Sequence, residues 1–378
     1  MCSPRITRTT RIISSRSNSA DSVQIAADAT GPQPHRAANP EITSMRRTSR
    51  SILSCSIAIL AVWVMTSSGE QGKKYSTPQG KVRVALAKQP FSPNGLSKGP
   101  STMADGGIQK MLAELNAEVR VQEAKLTTEE DKEYGGWKRL GMALGHFADL
   151  VTQNEREGYF TVGLLATCPS MPGLVAGLQR SGTTTEPLRV GMLWLDAHPD
   201  FNTPETTRSG SLGGMPVAVA TGRALQRMRL DAKLDPPLPD RYVVMGGVRL
   251  TDPLEQHMLE ESRIEQVSVE DLRRASPGVF AQLDRLSQAT DKLYIHIDMD
   301  VLDPREVMGH GNKVPGGPSS EELAKLFEAI FRRYPTASAI GFATIPPTDE
   351  GGLSIAAVNR MIAAAVRGVQ AREQGREP

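Results

Sequence analysis

Two apolar runs in this chain end in clusters of acids, and this limits the possible folds more than any other feature. Residues 190–200 read VGMLWL and then Asp196-Ala197-His198-Pro199-Asp200; residues 293–300 read LYIHI and then Asp298-Met299-Asp300, with Asp303 beyond. Short runs that are apolar throughout, without alternation, belong to strands covered on both faces, hence to parallel strands with helices on either side. Sheets of this kind gather their reactive groups at the carboxyl ends of strands. On an extended backbone, residues i, i+2 and i+4 point the same way. Asp196, His198 and Asp200 are therefore expected on one face, and Asp298 and Asp300 on another beside it. Four carboxylates this close repel one another and call for a cation. Carboxylates with one imidazole suit Mn²⁺ or another hard-to-borderline divalent ion, and carboxylates bridging two ions would let them activate a shared water. Solvated loop acids are the competing reading, which the apolar runs leading into the acids disfavour.

The rest of the chain supports an α/β class. Strands are expected at 81–91, 159–166, 190–195, 242–245, 264–268, 293–297 and 337–342. Helices are expected at 107–115, 140–152, 174–179, 216–221, 253–262, 269–274, 277–288, 320–333 and 353–372. A single domain over 81–372 is the economical reading. Charge is unevenly spread: residues 1–50 hold eight arginines against three acids, a net of +5 in a chain of net +2, so the remainder carries −3. The folded part therefore offers no basic surface for nucleic acid. Cys2 and Cys55 lie near the start and leave Cys168 alone, which excludes an internal disulfide framework and a cysteine-based zinc cluster. Residues 1–44 read as a disordered or mis-called extension. Residues 45–69, MRRTSR followed by an uncharged apolar run and small residues, have the layout of a signal peptide. Export to the periplasm or medium, with no membrane attachment of the mature form, is the expectation. Anchoring by residues 51–66 is the alternative, and residues 70–80 read as a linker.

The two acid motifs resemble those of the ureohydrolase family (arginase, agmatinase, formimidoylglutamase). Asp196-Ala197-His198-Pro199-Asp200 matches its D-A-H-x-D pattern, and Asp298-Met299-Asp300 with Asp303-Pro304 matches D-x-D-x-x-D-P. The resemblance implies a three-layer α/β/α sandwich with a mostly parallel central sheet. It implies a manganese pair whose hydroxide hydrolyses a small linear amidine or guanidino compound, and a homo-oligomer, trimeric or hexameric. It makes Asp196 and Asp298 the bridging ligands, with His198 and Asp300 on one ion and Asp200 on the other. It leans toward arginase: Asn202, Thr207 and Ser209 fall where arginases bind the substrate α-carboxylate, and Asp252 and Glu255 where they hold the α-ammonium. Turn chemistry at Thr207 and Ser209, and a helix cap at Asp252 with Glu255, are the bland alternatives.

Three positions depart from the family pattern. Cys168 stands where the first metal-binding histidine belongs, and is either a thiolate ligand or a small buried packing residue. Gly213 replaces the proton-shuttle histidine, and His310 in the loop GHGNKVPGG is the candidate replacement; Gly316 and Gly317 fit the family's glycine pair in that loop. Pro346 and Ala343 occupy the region of the guanidinium-binding acid, leaving Asp349 or Glu350 as stand-ins. His296 is either a satisfied strand histidine or an orienter of the site, and Arg249 an ion-paired structural residue. These losses imply one tight and one loose ion, and keep open a degenerate, weakly active or inactive metal-binding module; an unrelated metal hydrolase such as a phosphoesterase is a further alternative. If residues 45–69 direct export, N-terminal sequencing of protein from its host should begin near residue 70; a cytoplasmic protein retaining residues 1–44 would refute it.

Overall fold

Strands that are apolar on both sides need cover on both sides, and the computed structural model, which describes residues 74–349 and 352–375, shows how this chain supplies it. The strands in chain order are β1 (Arg83–Gln89), β2 (Phe91–Ser92), β3 (Gly95–Leu96), β4 (Glu118–Glu123), β5 (Phe160–Leu165), β6 (Val190–Leu195), β7 (Val243–Gly246), β8 (Glu265–Val267), β9 (Lys292–Asp298) and β10 (Ala337–Ala343). β2 and β3 form a small hairpin. The other eight make one sheet in the order β4-β1-β5-β10-β9-β6-β7-β8, with every neighbouring pair parallel. The central strands β5, β10 and β6 are buried along their whole length.

Helices Gly136–Arg156 and Met171–Gln179 bury Leu144, Phe147, Leu174 and Val175 against one face of the sheet. On the other face, helices Pro277–Ala289, Ser320–Arg333 and Leu353–Glu373 pack onto Leu193, Ile295, Ile340 and Phe342. The result is the three-layer α/β/α sandwich. Helix Ser320–Arg333 shows why the sequence forms these elements. Ser319 and Glu322 make a reciprocal capping box, acids fill the first turn, and Arg332 and Arg333 the last. The C-terminal helix lies tight against it because Gly368 has no side chain; a Cβ there would sit 2.5 Å from Glu328 O.

Some elements escaped the sequence reading. β4, EVRVQE, is an edge strand without a full apolar face, so it carries little hydrophobic signal. Helix Gln226–Asp231 is six residues with only Met228 and Arg229 buried. The helix expected at 107–115 is found as Gln109–Glu114; the helix Gly99–Met103 before it was not expected, and the chain between them bends where Gly107 takes φ +89°. The extension, the export signal and the alternative anchor lie outside the described residues. Among the described residues no helix is long and apolar enough to cross a membrane.

The folded part reaches back to Tyr75. Its hydroxyl donates to buried Glu155 at 3.1 Å, and Lys292 and Lys74 reach the same carboxylate at 2.8 and 2.6 Å. Removing one partner of a buried ionic cluster leaves the others uncompensated. Glu155→Ala should therefore cost about 3 kcal/mol in denaturant unfolding, the low end of that effect because Lys74 is partly exposed; a cost under about 1 kcal/mol would show that water replaces the carboxylate.

Candidate metal centre

Four adjacent strands, β5, β10, β9 and β6, bring their carboxyl ends to one rim. Cys168 opens a short turn after β5, Thr344 follows β10, Asp298 closes β9 and Asp196 follows β6. Strand alternation, the expected means of convergence, is not what gathers the acids. β6 stops at Leu195, so Asp196, His198 and Asp200 lie in a loop, where Asp200 takes φ +51°, a left-handed conformation that aspartate tolerates. Asp300 sits in the turn Met299–Val301, its N–H bonded back to Asp298 Oδ1 at 2.9 Å. Ala197 N–H donates to Asp300 Oδ1 at 3.2 Å and ties the two loops together, while His198 N–H donates to Asp196 Oδ1 at 2.7 Å within its own loop. Loops can fold a run of ligands inward more sharply than a pleated strand allows.

The electrostatics are those of a cation site. Burial, then the neighbouring Asp300, pushes the Asp298 carboxyl up to about 6. Burial and the other acids also push Asp196 and Asp200 up. Cys168 is raised by burial and then by Asp298, and its thiol donates to Asp298 Oδ2 at 2.8 Å. Burial alone would lower His198, but Asp196 and Asp300, 3.4 and 3.2 Å from Nδ1, outweigh it and hold the imidazole at about 10. Two buried atoms aimed into the centre have no hydrogen-bond partner: Asp196 Oδ2 and His310 Nε2.

Three groups each have ligand atoms within 4.8 Å of one another: Cys168, Asp196 and Asp200; Asp196, His198 and Asp300; and Asp298, Asp300 and His310. Donors about 2.1 Å from a shared ion lie roughly 3–4 Å apart, the separation of His198 Nδ1 from Asp196 and Asp300, at 3.4 and 3.2 Å. Asp196 belongs to two of the groups. Asp298 faces Cys168 with one oxygen and His310, 3.6 Å away, with the other.

A cavity of about 660 Å³ opens above the acids, lined also by Asn202, Ser209, Asp252 and Glu255. Thr207 stands just outside this lining, its hydroxyl 3.4 Å from that of Ser209. Asp252 and Glu255 form the capping box of helix Pro253–Glu261. Both Glu255 oxygens are occupied, by Phe201 N–H at 2.8 Å and Asp252 N–H at 3.3 Å, while Asn202 reaches Asp252 at 3.5 Å. Gly213 lines the cavity. Asp349 does not; its oxygens accept from Ser354 N–H and Ile355 N–H and cap the C-terminal helix. Pro346 is buried, and Glu350 lies outside the described residues. Arg249 makes no ion pair among the described residues; it staples the site by donating to the carbonyls of Gly247, Asp300, Val314 and Pro315, so carbonyl dipoles do what acids were expected to do.

Sequence reasoning missed Tyr294, whose hydroxyl meets His296 Nδ1 at 2.7 Å, and Trp194, whose ring stacks on His296 at 4.0 Å. It also missed Arg208 and Trp137 in the cavity wall. None stands in a motif; only the fold brings them to the site.

A parallel α/β/α sandwich with acids and imidazoles at its central strand ends brings together groups that could hold a divalent metal ion. The sequence model of the arginase family matches residues 167–366. This chain belongs to the arginase family of hydrolases. It is 27% identical to the arginase of Bacillus caldovelox over 267 residues, 68% of this chain and 87% of that one. It is 32% identical to the arginase of Entamoeba histolytica over 151 residues, 40% of this chain and half of that protein's length. In fold it is similar to the solved arginase of Bacillus subtilis, with a TM-score of 0.66 at 22% identity over 75% of this chain and 98% of that one. Formimidoylglutamase of the same species gives 0.57 at 17%, over 76% and 87%.

Carboxyls raised by the fold bind protons that the unfolded chain has already released. Metal-free protein should therefore lose stability as the pH rises from 3.8, the ordinary value for Asp298, to about 6, with Asp196 and Asp200 acting in the same sense and Asp300, held low, opposing them. Bound metal replaces those protons and should abolish the loss. Asp196→Asn should raise the Tm of metal-free protein at neutral pH and erase the gain from metal. A Tm indifferent to chelator, pH and this substitution would show that the centre holds no ion.

Proposed function

We propose that this protein hydrolyses a carbon–nitrogen bond in a linear amidine, a guanidino or amidino compound of amino-acid-like shape, at a centre of two divalent ions. The observation that carries the reading is the placement of Asp196 in two ligand groups at the floor of a polar cavity. Asp196, His198, Asp298 and Asp300 would hold one Mn²⁺ tightly; Asp196, Asp200 and Asp298, with Cys168 beside them, would hold the other more loosely. Such a pair supplies hydroxide at neutral pH.

The chain's own residues supply orientation and proton movement. Asn202, Thr207 and Ser209 offer amide and hydroxyl donors to a carboxylate, and Asp252 faces an ammonium. Glu255, with both oxygens spent, holds Asp252 and the Phe201 backbone in place. His310 takes the role of proton shuttle. Its Nδ1 accepts from Asn312 N–H at 3.2 Å, so its proton rests on Nε2, the atom aimed at the acids. His310 is therefore set to donate a hydrogen bond from Nε2 to a leaving amine. The family resemblance also supports a trimer or hexamer.

Two observations favour the competing reading, a metal-holding module without turnover: Asp349 is committed to capping a helix, and Cys168 stands among the ligand groups. The test is metal counting together with urea or ammonia release from a panel of guanidino and amidino amino acids. Release from at least one compound, lost in Asp298→Ala, is the expected result. His310→Ala should lower kcat by about 10²-fold or more with KM little changed. A protein carrying two ions that releases nothing from any compound would establish the module instead.

A further inference from the structure

The surroundings of the Cys168 sulfur are not those of a packing residue. Sγ is buried, yet it meets polar atoms: Asp298 Oδ2 at 2.8 Å, His296 Nε2 at 3.2 Å and Thr344 Oγ1 at 3.7 Å. Behind it, His296 is clamped between Trp194, stacked at an interplanar angle of 4°, and Tyr294. The Tyr294 hydroxyl fits beside Gly341 because no Cβ occupies that space. With the tyrosine O–H donating to Nδ1, the imidazole proton is on Nε2 and directed at sulfur. A neutral thiol gains little from such a donor, whereas a thiolate is stabilised by it. In front of the sulfur stand Asp196 and Asp200, with the unpartnered Asp196 Oδ2 aimed into the same space.

We infer that Cys168, Asp196 and Asp200 form a thiolate metal site that takes a softer divalent ion (Zn²⁺, Fe²⁺ or Co²⁺) beside a harder Mn²⁺ at His198, Asp196 and Asp300, which makes the centre heterometallic. The inference rests on the metal centre of the proposed function and adds the identity of its second ion. Thiolate sulfur selects borderline and soft ions, while carboxylate and water suit manganese. On binding, the sulfur–metal bond replaces the S–H bond and the thiol proton passes to solvent; no electron is transferred. Tyr294 and His296 are positioning residues. They orient and charge-stabilise the sulfur as the hydrogen-bonded partners of metal ligands do elsewhere.

Cobalt reports the sulfur directly. Metal-free full-length protein titrated with Co²⁺ should develop a thiolate-to-cobalt charge-transfer band in the near ultraviolet. Cys168→Ser should lose the band while keeping Co²⁺ at the other position, with Cys2 and Cys55 still present as controls. Tyr294→Phe should keep the band but bind that ion about 10–100-fold more weakly. One equivalent of Zn²⁺ should expel the band-forming cobalt, and one equivalent of Mn²⁺ should not. Should Cys168→Ser fail to fold, zinc-edge X-ray absorption of the Cys2→Ser, Cys55→Ser protein should still show one sulfur at about 2.3 Å. Two bound Co²⁺ ions without a charge-transfer band, a band unchanged by Cys168→Ser, or a zinc shell without sulfur would overturn the thiolate site and leave the metal centre standing. A protein that binds neither Co²⁺ nor Zn²⁺ would overturn both.

Discussion

Carboxylates crowded into one buried rim repel one another, and the rest of this structure is arranged around that repulsion. Asp196, Asp200, Asp298 and Asp300 lie at the ends of the most deeply covered strands, where water cannot screen them. The metal-free fold answers by raising the carboxyls of Asp196, Asp200 and Asp298, by holding His198 charged between Asp196 and Asp300, and with backbone N–H groups from the same loops. These devices keep the cluster together but leave Asp196 Oδ2 and His310 Nε2 unsatisfied. A divalent cation would relieve the repulsion and could give the orphaned Asp196 oxygen a partner.

Holding such a cluster requires rigid supports, which the sheet provides. β5, β10, β9 and β6 are neighbours in space although the chain visits them out of order, and helices press on both of their faces. Arg249 then locks the two site loops. One guanidinium donates to the carbonyl of Asp300 and to those of Val314 and Pro315 just beyond His310, so the ligand turn and the His310 loop are held by the same side chain.

The departures from the family pattern also fit this scheme. With a cysteine at the rim, the chain places an imidazole behind the sulfur and a tyrosine behind the imidazole, a buried line running from the sheet interior to the site. With a glycine at position 213, an imidazole from the loop after β9 points at the acids from another side. Where a guanidinium-binding acid was sought, the candidate carboxylate at Asp349 is used to cap a helix.

The sequence by itself determined the parallel sheet, since uninterrupted apolar runs at 190–195 and 293–297 require cover on both faces, and it determined which residues end those strands. It therefore showed Asp196, His198, Asp200, Asp298 and Asp300 as one cluster. The charged edge strand β4 stayed hidden because none of its residues is fully buried, so it carries little hydrophobic signal. Only the tertiary structure decided what depends on contacts across long separations. Cys168 and His296 are 128 positions apart, and Cys168 and Asp298 are 130 apart. No local pattern records which side of a sulfur an imidazole will occupy. Loop geometry was equally out of reach. The positive φ at Asp200 and the local turn of Asp300 onto Asp298 leave no pattern in the sequence, and the bond from Ala197 N–H to Asp300 joins loops that meet only once the strands are side by side.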